Sequence, residues 1–248
     1  GLASSANPIW LFNGDNLDHW TTRDGHQAGW MVEDQAMHVV PGTGDIQSKE
    51  CFTDFYMHLE FRCPDMPEAT GQARGNSGVF LQGRYEIQVL DSFGLNIPGM
   101  GDCGAVYNQF APLTNACEPP MVWQTYDVFF RAPRGGAPGP RLTALHNGKV
   151  IHNNVELPGV TGGAIDEDLT APGPLLLQDH GDLVCYRNIW ATELALTGEI
   201  MASADLARRP SIPQPTVAKL LKELAQGRLW LLYTSPRPRD RGGGRVPG

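Results

Sequence analysis

The clearest alternation of apolar and polar positions runs from Gly75 to Ser92, G-N-S-G-V-F-L-Q-G-R-Y-E-I-Q-V-L-D-S. It predicts two short strands joined at Gly83-Arg84. In the second strand Tyr85, Ile87 and Val89 share one face, while Glu86, Gln88 and Leu90 share the other. One apolar face backed by a carboxylate and a carboxamide suits an antiparallel sheet with one wet side. On this strand alone, Glu86 and Gln88 read as a solvated outer face, and Asp91 falls where the strand ends. The same period of two marks Phe55 to Arg62: Phe55, Met57, Leu59 and Phe61 face one way, with Tyr56, His58 and Glu60 opposite. His58 reads there as a surface histidine.

Shorter apolar runs add further strands. Ile9 to Phe12 opens the series, and a Gly14-centred turn follows, with Leu17 and Trp20 as core anchors. Trp30-Met31-Val32 and Ala36 to Val40 flank a hairpin-sized polar gap, Glu33-Asp34-Gln35. Trp123 to Arg131 is a strong strand, and Asn147-Gly148 predicts a tight hairpin between Arg141–His146 and Lys149–Val155. Pro174 to Gln178 and Tyr186 to Leu194 complete the set. Between them lies a long stretch, Phe93 to Val122, rich in Gly, Pro and Asn. Loops of that length within a compact domain usually carry function or lack order. About a dozen strand candidates with Gly/Pro turns predict an all-β sandwich or jelly roll.

After Leu196 the pattern changes. Pro215 to Gln226 places Val217, Leu220, Leu221 and Leu224 at helical spacing, which predicts a short amphipathic helix. The expected organisation is a sandwich over 1–196, an extension with this helix over 197–230, and a disordered or non-native tail over 231–248. The tail is basic and rich in Gly and Pro, with nothing to build a core.

Charge narrows the partners. The chain carries −8 overall; residues 228–248 hold five Arg and one Asp, and this net +4 leaves −12 for residues 1–227. Such a body disfavours nucleic acid and anionic membranes and suits a neutral ligand or a cation. No apolar run approaches the roughly 18 residues of a membrane helix. The opening G-L-A-S-S-A-N-P is similar to the region that follows a removed signal peptide, so export is expected. None of the five Cys forms a C-x-x-C pair, which argues against a structural zinc motif. Cys103 and Cys117 bracket part of the long loop and are expected to form a disulfide.

Candidate chemistry gathers on two stretches. Leu175 to Asn188 reads L-L-L-Q-D-H-G-D-L-V-C-Y-R-N, a strand that ends by presenting Gln178, Asp179 and His180 at a rim. Histidine is the side chain best suited to proton transfer near neutral pH. Joined to Asn76, Glu86, Gln88, Asp91 and Arg187, these residues suit the hydroxyls of a small saccharide, with Tyr107, Trp123 and Tyr126 offering ring faces. Glu86 and His180 could be base and acid, or His180 with Glu86 or Asp179 could hold a divalent metal. No serine-hydrolase elbow, phosphate loop, dinucleotide fingerprint or zinc-protease helix is present.

Seven motifs, in order, carry a resemblance: L-F-N-G-D-N-L-D-H-W, the Gly75–Ser92 stretch, C-G-A-V-Y, W-Q-T-Y-D, H-N-G-K-V-I-H-N-N-V-E-L, G-P-L-L-L-Q-D-H-G and Y-R-N-I-W. Over roughly Pro8 to Leu194 the chain resembles the 3-keto-disaccharide hydrolase domain. The resemblance implies a concanavalin-like jelly roll of two curved antiparallel sheets, in an exported bacterial protein. It also implies cleavage of glycosides oxidised at the sugar C3, with Glu86, Gln88 and His180 as the foremost positions. Glucanases of similar fold carry E-x-D-x-x-E on a comparable strand. Here E-I-Q-V-L-D puts Gln88 in the middle, against a retaining glucanase. The competing expectation is a lectin-like module that binds sugar without cleaving it. Neither the sugar nor the oligomeric state follows from the sequence.

Overall fold

The computed structural model describes residues 8–133 and 139–194. The expected helix at 215–226 and the divisions at 197–230 and 231–248 lie outside them. Thirteen strands form in chain order: β1 (Ile9–Phe12), β2 (Trp20–Thr22), β3 (Met31–Glu33), β4 (Ala36–His38), β5 (Ile46–Phe52), β6 (Phe55–Arg62), β7 (Ser77–Leu81), β8 (Tyr85–Val89), β9 (Gln124–Arg131), β10 (Arg141–His146), β11 (Lys149–Glu156), β12 (Gly173–Leu177) and β13 (Cys185–Glu193). Among the described residues the only helical element is a 3-10 turn at Gly71–Ala73, and no helix is long and apolar enough to cross a membrane.

The strands build two antiparallel sheets. One has eight strands in the order β11-β10-β9-β6-β13-β4-β3, with β1 paired to β13; the other has five, β2-β5-β12-β7-β8. This is the expected concanavalin-like jelly-roll sandwich. Period-two alternation decides what each sheet buries. Phe55, Met57, Leu59 and Phe61 of β6 meet Val79, Leu81, Tyr85, Ile87 and Val89 of β7 and β8 in one core. Tight turns set the register where sequence chemistry allows positive φ. Asp34-Gln35 turns β3 into β4 at φ 49° and 59°, and Asn147-Gly148 turns β10 into β11 at 48° and 64°. Two strands escaped the sequence pattern. β2 is only three residues long, and β5 (I-Q-S-K-E-C-F) carries charges on its open side.

Two core tyrosines tie the sheets together. Tyr126, on β9 of the larger sheet, donates its hydroxyl to the Gln88 carbonyl at 2.6 Å. Tyr186, on β13, donates to Ser77 Oγ at 2.7 Å, and Ser77 Oγ donates to the Gln178 carbonyl at 2.6 Å. A buried hydroxyl needs a partner, so each tyrosine fixes the strand opposite it. Both contacts hold backbone that carries a candidate site residue.

Candidate active site on the five-stranded sheet

The outward face of the smaller sheet presents a row of side chains across all five strands. Successive pairings run Thr21, Gln47, Leu176, Phe80, Glu86. The next row contains Gly78 opposite Gln88, with the Gln178 N–H donating to the Gly78 carbonyl at 3.0 Å. Gln178 therefore lies beside β7, two strands from Gln88. Glycine at 78 is required by proximity: a Cβ there would run into Glu86 Oε1, well inside van der Waals contact, and meet Phe80 Cε2 at 3.0 Å. The Glu86 carboxyl thus lies over β7, against Gly78.

This face is not the solvated one that β8 alone suggested. Glu86 is 4% exposed and Gln88 1%. Two segments cover them. Gly104 to Tyr107 runs along the free edge of β8: Gly104 N–H donates to the Gln88 carbonyl, Gln88 N–H to Ala105, and Tyr107 N–H to Glu86. Beyond it, Glu86 N–H donates to Thr161 Oγ1 at 2.9 Å, and Thr161 N–H donates to the Arg84 carbonyl. Buried Arg84 anchors the second segment through the Ala171 carbonyl and both carboxylate oxygens of Asp166.

Burial sets the charge of the site. It pushes the Glu86 carboxyl up to about 8, with the negative charge of Asp45 adding to the effect. Asp45 is itself held by Arg23 at 2.7 Å. Glu86 therefore enters neutral solution mostly protonated. Gln88 donates to Gln72 Oε1 at 3.0 Å and to the Gly101 carbonyl at 3.3 Å. Its own Oε1 is buried without a partner, as is Gln178 Oε1. The outward side of the sheet thus carries a protonated carboxyl and two carboxamide oxygens that still lack a donor.

Each expected site residue can now be placed. Asn76 joins this face at the start of β7, donating from Nδ2 to the Gln72 carbonyl at 2.7 Å. Tyr107, half-buried, follows core residue Val106 on the segment bordering Glu86. His180 is exposed on the turn after β12. Asp179 fixes that turn by accepting from the Gly42, Gly44 and Gly181 N–H groups, and Asp182 by accepting from Asn76 N–H. Asp91 pairs with Arg74 at 2.9 Å and accepts the Phe93 N–H, so it braces the 3-10 turn. Trp123 and Arg187 stand elsewhere. Arg187 pairs with Glu60 at 2.6 Å and lies 4.1 Å over the Trp123 ring, on the outward face of the larger sheet. The core separates that face from Glu86.

Two further expectations change. His58 is buried, with Nδ1 2.8 Å from Asp127 and its ring stacked on Trp190. Cys103 and Cys117 are free thiols rather than a disulfide. The loop they bracket is folded back by backbone bonds to β8, which brings the thiols together without a cross-link. Among the described residues the group of three candidate metal ligands that meets is Cys103, Cys117 and His146. Gln72, which no periodicity singled out, is the hub joining Asn76, Gln88 and Gly101. The nearest sequence signal was the polar run before Gly75.

The two antiparallel sheets define a β-sandwich of the kind seen in glycosyl-hydrolase-like proteins. Residues 7–192 match the 3-keto-α-glucoside-1,2-lyase-like domain, and the chain belongs to that family. Among solved structures it is similar to a candidate glycosyl hydrolase from Parabacteroides distasonis ATCC 8503, at 36% identity and TM-score 0.69, covering 76% of this chain and 84% of that one. A second such protein from the same organism shares the fold at 20% identity and TM-score 0.55, covering 76% and 94% of the two chains. Comparison with curated proteins gave no match.

Proposed function

We propose that the outward face of the five-stranded sheet is the active site of a carbohydrate-active enzyme cleaving glycosides that carry a ketone at C3. The observation that carries this reading is Glu86, a carboxyl that burial keeps mostly protonated at neutral pH, on the same outward face as two carboxamide oxygens that lack donors. Family membership supports the substrate class.

A C3 ketone acidifies the hydrogen on C2. A base removes that proton, and the electron pair forms an enolate. Collapse of the enolate forms the C1–C2 double bond and breaks the bond from C1 to the glycosidic oxygen. The departing oxygen takes a proton, and water then adds across C1 and C2. In this scheme Glu86 supplies the proton to the departing oxygen, and His180 on the rim takes the C2 proton. Gln88 and Gln178 accept sugar hydroxyls, with Asn76 and Tyr107 bordering the sugar. The order differs from a two-carboxylate glycosidase, which needs no ketone.

The test compares a chromogenic 3-keto-glucoside with its unoxidised parent, following aglycone release. Cleavage of the keto substrate alone is expected, and Glu86→Gln should lower its rate by about 10²–10⁴-fold. Sugar binding without cleavage would replace this reading with a lectin-like module.

A further inference from the structure

Away from the Glu86 carboxyl, the folded-back loop brings Cys103, Cys117 and His146 together, their ligand atoms all within 4.8 Å of one another. His146 is fully buried and Cys103 is 1% exposed, while Cys117 is half-buried. The histidine tautomer is fixed by its neighbour. The Glu118 N–H donates to Gln124 Oε1 at 3.0 Å, which identifies that atom as the oxygen. The same oxygen lies 2.9 Å from His146 Nε2, so Nε2 carries the proton and Nδ1 carries the lone pair. His146 Nδ1 is buried and has no partner.

We propose that Cys103, Cys117 and His146 Nδ1 form a binding site for a thiophilic divalent ion of the zinc class. Two sulfurs and an imidazole nitrogen are the donor set such ions select. Gln124 supplies the outer partner that orients a ligating histidine. On binding, both thiols lose their protons to solvent, and two thiolates against one dication leave the buried site neutral. A disulfide would use only the two sulfurs and would leave Nδ1 stranded in the core, whereas the ion gives Nδ1 a partner as well.

With three protein donors and a water completing the tetrahedron, the site acts as a clamp. It clamps the Cys103–Cys117 segment to the end of β10. That segment includes Gly104 to Tyr107, whose backbone borders Glu86 and Gln88. The same chain supplies the Gly101 carbonyl to Gln88.

The experiment uses the full chain, reduced, stripped with chelator, then loaded with Zn2+ or Co2+ and desalted. One zinc per chain is expected by elemental analysis, with sulfur-to-cobalt charge-transfer absorption in the cobalt form. Cys103 and Cys117 should resist a thiol reagent when loaded and react when stripped. Cys117→Ser and His146→Gln should each lose the retained metal, and Cys51→Ser, at an exposed thiol, should keep it. Should Cys117→Ser not fold, His146→Gln and thiol protection in the unaltered chain still decide. Absence of retained zinc in the reduced protein overturns the proposal. So does undiminished zinc in His146→Gln, or a Cys103–Cys117 disulfide that persists under native reduction.

Discussion

Glu86 joins stability to chemistry through one proton. Its folded value of about 8 lies above the ordinary 4.5, so between those values the native state holds a proton the unfolded chain has released. The contribution is complete below about pH 4.5, declines as pH rises, and is lost above about pH 8. Glu86→Gln should therefore match the wild type near pH 4 and exceed it at about pH 9 by on the order of 5 kcal/mol, read by denaturant titration. Equal stability across that range would contradict the burial argument. As the proton donor, Glu86 should also make kcat/KM fall as pH rises through about 8. Asp45→Asn removes a charge that raises Glu86, so that falling limb should move to lower pH. Gly78→Ala should leave the fold intact but displace the Glu86 carboxyl, costing about 10²-fold in rate. Some of this was legible in the sequence, because β8 alternates and Gly78 lies in a quoted motif. The burial of Glu86 was not, since Thr161 and Tyr107 reach it from loops that carry no periodicity.

At the level of elements, the site depends on strands held from behind. Tyr186→Phe removes the donor to Ser77, whose hydroxyl in turn holds the Gln178 carbonyl. A loss of about 1–2 kcal/mol is expected in thermal or denaturant unfolding. Activity should fall further than that if Gln178 contributes to sugar binding. An unchanged KM in the folded variant would remove Gln178 from the site. The strands with clean alternation, β6 to β9, were readable from the chain, as were the hairpin turns at Asp34-Gln35 and Asn147-Gly148. β5 was not: Lys49 and Glu50 interrupt its apolar pattern, and pairing to β2 and β12 decides its conformation. Tertiary pairing overrides local preference in such strands.

For the whole molecule, the sandwich sorts the polar residues onto two opposed surfaces. Sequence order could not do this, because Arg187 and Gln178 are near neighbours in the chain yet belong to different sheets. Trp123→Ala on the far surface should keep activity within about twofold of wild type, as expected for distant, independent sites. A large loss there would move the site. One further property follows from the pairing of the first strand with the last. Ile9 of β1 lies opposite Ala191 of β13, so the two ends of the described sandwich are neighbours. Their order of connection is then separable from the fold. A chain rewired to join residue 194 to residue 8 through a short linker, and opened between exposed Pro67 and Glu68, should fold to the same sandwich. By the same reasoning the unit can be spliced whole into a surface loop of a larger protein, entering and leaving at one edge.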